Sequence, residues 1–160
     1  MAKVSQSYHL VNISLNWSMA ELYCQQQCSS NLASVHSQSQ YNAIIQIVDT
    51  TFPDESHPQG EGYRAWFGLN DIQNEMHFVY SDATPFDFGN NTSKPGLYPW
   101  IWDSPHNDSI NGNQDCGNII KWYNNVHNAF FSWNDDDCHD TYPFICNHCA
   151  TTSPTPNPTC

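Results

Sequence analysis

Seven cysteines stand at positions 24, 28, 116, 138, 146, 149 and 160. Cysteines spread this widely suit a disulfide framework assembled in an oxidising compartment. Asparagine-linked glycosylation signals point the same way. Asn12, Asn16, Asn90, Asn91 and Asn107 each open an Asn-x-Ser/Thr tripeptide, whereas Asn157 is followed by Pro158 and is no acceptor. A secreted or extracellular location is therefore expected.

The chain is long enough for one domain with a single core: 160 residues, 39% of them hydrophobic. Four Lys and Arg face sixteen Asp and Glu, a formal charge of -12. That balance excludes nucleic acid as a partner, because phosphate binding depends on cationic side chains that release counterions. Cations, metals and neutral polymers fit better. No apolar run reaches the ~18 residues of a membrane span, and the N-terminus has neither the basic start nor the apolar core of a signal peptide, which suits a segment of a longer precursor.

Residues 5–12 read as an opening strand. In the helix that follows, Trp17, Ala20, Cys24 and Cys28 recur at helical spacing, capped either by a Ser18/Glu21 box or by Asn16. A second helix carries Ser37 and Gln40 as a cap pair, with Tyr41, Ile44, Ile45 and Val48 as its inward stripe. From Trp66 onward short aromatic and β-branched runs predict strands: WFGLN, HFVYS, CGNIIKW, AFFSW and YPFIC. The stretch from Ser81 to Asp115 is rich in Pro and Gly without regular patterning, and long loops inside compact domains are usually functional. Beyond Cys149, residues 150–160 read as a Pro/Thr-rich linker or stalk, so the domain is expected to span 5–149.

Over roughly those residues the sequence resembles the C-type lectin-like domain. Trp17, Ala20 and Cys24 match its Trp-x-x-Ala-x-x-x-Cys helix, and Leu32 to Val35 its Leu-Ala-x-Val stretch. Its Trp-Ile-Gly-Leu strand appears as Trp66-Phe67-Gly68-Leu69, its late Trp-Asn-Asp as Trp133-Asn134-Asp135, and its closing Phe-Ile-Cys as Phe144-Ile145-Cys146. The resemblance implies an α+β fold of two helices flanking small antiparallel sheets with a long irregular loop. It also implies Cys24–Cys146 and Cys116–Cys138 bridges. Cys28 lies one helical turn from Cys24 and Cys149 three residues from Cys146, so a parallel second bridge is geometrically reasonable. Two alternatives stay open: Cys28 replacing Cys24 in the core bridge, and a four-thiolate zinc site. Cys160 is left odd, available for a disulfide to another chain or for self-association.

Calcium takes six to eight oxygen ligands. In sugar-binding members, the resemblance implies, a Glu-Pro-Asn or Gln-Pro-Asp tripeptide, an acid before the loop Cys and the late Asn-Asp pair hold calcium and sugar together. Here Asn134 and Asp135 match the late pair, but the tripeptide is Ser104-Pro105-His106 and Gln114 stands at the acid's position. Ser and neutral His are poor calcium ligands, so Asn107 or Asp108 in the somewhat longer loop would move in. A second calcium set matches Asp71, Glu75 and Asp115. The plain alternative is that Asp135, Asp136 and Asp137 are simply solvated, since neighbouring charges in water repel by only ~1 kcal/mol.

For the apolar face of a sugar ring, Tyr98, Trp100, Trp102 and Trp122 are candidates; Trp66 and Trp133 read as core, and Trp100 reads as core as well. His106 reads as an exposed loop residue, a ligand hydrogen-bond donor, or a soft-metal ligand with His127 or His139. The expected ligand contacts are Ser104, Trp102, His106, Asn134 and Asp135. Enzymatic activity is not expected, because no nucleophile triad, zinc-protease helix or phosphate loop appears and adjacent acids such as Asp136 and Asp137 point apart. Two functions result: a calcium-assisted carbohydrate-binding module, or a structural or protein-binding member of a larger extracellular assembly. Ice binding, known in the family, is not selected by anything here.

Overall fold

The structure, a computed structural model, describes residues 7–53, 62–93, 96–101, 103–106, 113–123 and 128–149. Strand β1 (His9–Leu15) leads into helix α1 (Trp17–Cys28), then helix α2 (Gln38–Thr51). Strands β2 (Tyr63–Asn70), β3 (Val79–Tyr80), β4 (Cys116–Tyr123), β5 (Ala129–Asp136) and β6 (Tyr142–Cys146) follow. They form one sheet in the order β1-β6-β2-β4-β5, with β3 beside β2. All pairings are antiparallel except the short β2–β6 contact.

Local signals account for both helices. Asn16, rather than Ser18, caps α1 by accepting the Met19 N–H at 2.9 Å. Glu21, which a capping box would have turned back to the helix start, accepts instead from Asn31, the Leu32 N–H and the Ser81 hydroxyl, binding α1 to the chain that follows it. At α2 the Ser37 hydroxyl accepts from the Gln40 N–H while the Gln40 side chain accepts from the His36 N–H, a near-reciprocal cap. Tyr41, Ile44 and Val48 form its buried stripe and Ile45 is only partly covered.

Two apolar clusters hold the sheet. One gathers Val35, Tyr41, Ile44, Phe67, Leu69, Trp100 and Trp133 between α2, the sheet and the long loop. The other packs Trp17, Ala20, Leu32, Trp66 and Phe144 around the Cys24–Cys146 bridge. Gly68 sits where chains pass closely: a Cβ there would lie 2.9 Å from the Leu32 carbonyl. Lys121 is nearly fully buried on β4, donating to the Phe52 carbonyl at 2.6 Å and paired with Asp49 at 2.8 Å, so one cation pins the end of α2 to the sheet.

Among the described residues three disulfides are present: Cys24–Cys146, Cys28–Cys149 and Cys116–Cys138. The parallel bridge therefore stands beside the core one, and the four thiols that zinc would have needed are all oxidised. Residues 150–160, with Cys160, lie outside the described residues.

Because the Cys24–Cys146 and Cys28–Cys149 bridges join the same two segments, either one closes a ring of roughly seven residues once the other exists, against more than a hundred when alone. By chain entropy, replacing Cys28 and Cys149 with Ser is expected to cost about 2.5 kcal/mol, but about 5 kcal/mol when Cys24–Cys146 is already gone. Denaturant titration of the three variants measures this; equal, additive losses would refute it.

Candidate ligand-binding site

Strand alternation disposes of the acidic run. Trp133 points into the core; Asp135 is fully buried, Asp136 nearly so, and Asp137 is exposed. Asp137 turns to His139, whose backbone N–H it accepts at 2.9 Å, and this bond holds its carboxyl below the usual carboxylate range. The three carboxylates thus face three different surroundings and do not act as one cluster.

The long loop is laid against β5 through Trp133. The Trp133 N–H donates to the Pro99 carbonyl at 2.8 Å and the Trp133 carbonyl accepts from Ile101 at 2.9 Å, a parallel bridge between Trp100 and Trp133. Gly89, at φ +73°, passes over the Trp133 ring so closely that a Cβ would come within 2.5 Å of it, and its carbonyl accepts the Trp100 indole N–H. These ties bring the Ser104–His106 turn over the end of β5.

There the side chains interlock. The Ser104 hydroxyl donates to Asn134 Oδ1 at 2.5 Å. The His106 backbone N–H donates to Asp135 Oδ2 at 2.6 Å, and its ring Nδ1 stands 2.7 Å from Oδ1 with a proton between them. Burial pushes the Asp135 carboxyl up, and the His106 contacts oppose that shift without cancelling it. Asn134 donates onward to Asp136, which also accepts from Asn118 at 3.0 Å and Tyr142 at 3.2 Å and pairs with Arg64 at 3.4 Å.

A cleft of about 280 Å³ opens beside this network, between the loop and the outer face of β2, β4 and β5. Ile101, Ile120 and Trp122 give it apolar walls; Arg64, Asp103, His106, Gln114, Asn134 and Asp136 give it polar ones. Trp122 stacks on Phe130 directly across the strand pair. Of the expected ligand residues, His106 and Asn134 line the cleft, Ser104 and Asp135 lie beneath it, and Trp102 lies outside the described residues. Arg64, Ile101, Asp103 and Ile120 carried no site signal of their own in the sequence, and Asp136, which the plain alternative leaves in water, is buried instead.

The expected calcium ligands separate into two groups. Asn134 and Asp135 do not fit a cation, since the oxygens that would bind it already accept hydrogen bonds from Ser104 and His106. Asp71 differs. It is buried, its Oδ2 accepts the Met76 N–H at 2.7 Å, and its Oδ1 has no hydrogen-bond partner among the described residues. Burial pushes its carboxyl up to about 7, with the Met76 N–H opposing and the charges of Glu75, Asp115 and Asp135 adding to the rise. A buried carboxyl under the charges of Glu75 and Asp115 fits calcium in kind, although among the described residues no three His, Cys, Asp or Glu side chains converge on one point. Asn107 and Asp108 lie outside the described residues. Of the glycosylation signals, Asn12, Asn90 and Asn91 are exposed, Asn16 is occupied as the α1 cap, and Asn107 is not described.

Comparison with known proteins places this geometry. The Lectin C-type domain profile matches residues 13–148, and the chain belongs to that family. Echinoidin of Heliocidaris crassispina is 24% identical over 150 residues, covering 88% of this chain and 87% of its own. A C-type lectin mannose-binding isoform of Oxyuranus scutellatus is 26% identical over 140 residues, covering 87% and 74%. In fold the chain is similar to human lithostathine, with a TM-score of 0.66 at 22% identity over 93% of this chain and 87% of that one. It is also similar to herring type II antifreeze protein, with 0.62 at 19% over 90% and 91%. The expected α+β fold is thus confirmed; domains of this family are generally non-enzymatic and commonly bind calcium.

The Asp71 environment generates a pH test. The folded chain retains that proton to a higher pH than the unfolded chain, so the stability it contributes is full below about pH 4 and is lost as the pH rises through about 7. In EDTA the melting temperature should fall across that window, and Asp71→Asn should flatten the slope. An unchanged slope in the variant would remove the buried carboxyl as its source.

Proposed function

We propose that the chain is an extracellular carbohydrate-binding module whose site is the cleft between the long loop and the Asn134–Asp136 end of β5. The observation that carries this reading is the cleft's lining. Trp122, Ile101 and Ile120 offer an apolar surface for the C–H edges of a sugar ring, and Gln114, Asn134 and Arg64 offer hydrogen-bonding groups at its rim. Relatives named for mannose and galactose binding support the substrate class. Three cystines and exposed glycosylation signals support the extracellular setting.

Calcium's part in this reading is structural. Asp71, Glu75 and Asp115 would hold it, where it would neutralise the buried Asp71 charge and tie the chain after β2 to the segment entering β4. The two segments already meet through the bond from the Asp71 N–H to the Asp115 carbonyl at 3.0 Å. A second reading, a protein-binding or structural member joined to an assembly through residues 150–160 and Cys160, is favoured by one observation: Ser104 and His106 close the oxygens that would meet a coordinated sugar.

A glycan array with the disulfide-bonded chain decides between them. Retention of neutral glycans, lost on Trp122→Ala without a change in melting temperature beyond a few degrees, is the expected result. No retention of any glycan, together with disulfide-linked oligomers that vanish on Cys160→Ser, would establish the second reading instead. Calcium should raise the melting temperature of the wild-type chain, because an ion bound only by the folded state stabilises it; no rise would remove calcium from the proposal.

A further inference from the structure

The exchange of residue types in the Ser104–Pro105–His106 turn has a chemical sense. In the sugar-binding pattern this tripeptide supplies Glu or Gln and Asn or Asp, so acceptor oxygens confront the acceptor oxygens of the late Asn-Asp pair. Acceptors facing acceptors repel, and a cation between them resolves the conflict. This chain sets donors there. The Ser104 hydroxyl and the His106 N–H point at Asn134 and Asp135, and the ring Nδ1 shares a proton with the second Asp135 oxygen. Ser104 and Asp135 are fully buried and Asn134 nearly so, which makes these bonds hard for water to replace. A cation entering would have to displace these donors and would then meet, on the loop side, a hydroxyl and an imidazole, both poor calcium ligands.

From this we infer that Ser104 and His106 replace the cation at the Asn134–Asp135 position, so that the loop is closed over β5 and the cleft beside it is shaped without a metal. The ligand is then reached through hydrogen bonds and the Trp122 ring rather than by coordination. Arg64 is offset by Asp136 at 3.4 Å, and Asp103 stands 3.9 Å from His106, so among the described residues the lining has no excess positive charge to select an anionic sugar. An uncharged pyranose fits this balance, and about 280 Å³ suits one ring rather than an extended chain. The ligand class rests on the carbohydrate reading; the closure does not.

The test restores the acceptors. Asp71→Asn is introduced first, to remove the other candidate cation position, and Ser104→Glu with His106→Asn is added to it. Melting is followed in EDTA and in millimolar calcium. The Asp71→Asn chain should melt at the same temperature in both, whereas the triple variant should melt several degrees lower in EDTA and recover with calcium. A calcium-dependent rise in the Asp71→Asn chain that disappears on adding Asp135→Asn overturns the inference. Should the triple variant not fold, the wild-type chain decides on the array: glycan retention unchanged in EDTA supports the closure, and retention abolished by EDTA but preserved in the Asp71→Asn chain with calcium overturns it. An array that retains nothing sinks the carbohydrate reading, and the closure then stands or falls on the calcium response of the Asp71→Asn chain.

Discussion

The burial of Trp133 is the interaction on which the rest of the structure depends. Its ring packs against Phe67, Tyr41, Phe88 and Trp100, so one side chain joins strand, helix and long loop. Burying an indole of this size contributes about 4–6 kcal/mol by area alone. Its backbone does as much for position, since both its N–H and its carbonyl bond the loop between Pro99 and Ile101. Without that anchor the turn carrying Ser104 and His106 would have no fixed height above β5. The site is therefore a consequence of core packing one residue before it.

Once Trp133 is fixed, the pleat decides the fate of every carboxylate that follows. Asp135 shares the Trp133 side of the strand and must be buried; Asp136 lies on the opposite face, beside Arg64 and Tyr142. A buried carboxylate is tolerated only with donors at hand. Asp135 receives them from His106, and Asp136 from Asn118, Asn134 and Tyr142. The burial that pushes both carboxyls up is the same burial that makes their hydrogen bonds strong.

Much of this was legible in the sequence because it is local or covalent. The α2 cap and stripe, the Trp66–Leu69 strand, the late Trp-Asn-Asp and the cystine framework are each signalled by residues a few positions apart, or by cysteines. Where a choice between neighbours arose, tertiary contact decided it: Glu21 serves Leu32 and Ser81 rather than its own helix, leaving the cap to Asn16. Strand β3 shrinks to Val79–Tyr80 because the chain before it is spent in turns held by Asp71 and Asn74. The cleft was not legible. Arg64 and Ile120 are cross-strand partners on β2 and β4, and only the register shows that they share a face with Asn134 and Asp136. The pairing of Ser104 with Asn134 spans thirty residues and has no periodicity to betray it.

What did carry over from sequence to site is the chemical type of each residue, once its partner is known. An acceptor opposite an acceptor leaves a position that a proton or a cation satisfies; a donor opposite an acceptor leaves a closed pair. Among the described residues Asp71 keeps an oxygen without a hydrogen-bond partner, whereas Asn134 and Asp135 are met by Ser104 and His106. The two positions therefore differ in what would satisfy them: a proton or a cation at the Asp71 oxygen, side-chain donors at Asn134 and Asp135. The bonds that shape the wall of the cleft lie between the chain's own residues, Ser104 with Asn134 and His106 with Asp135.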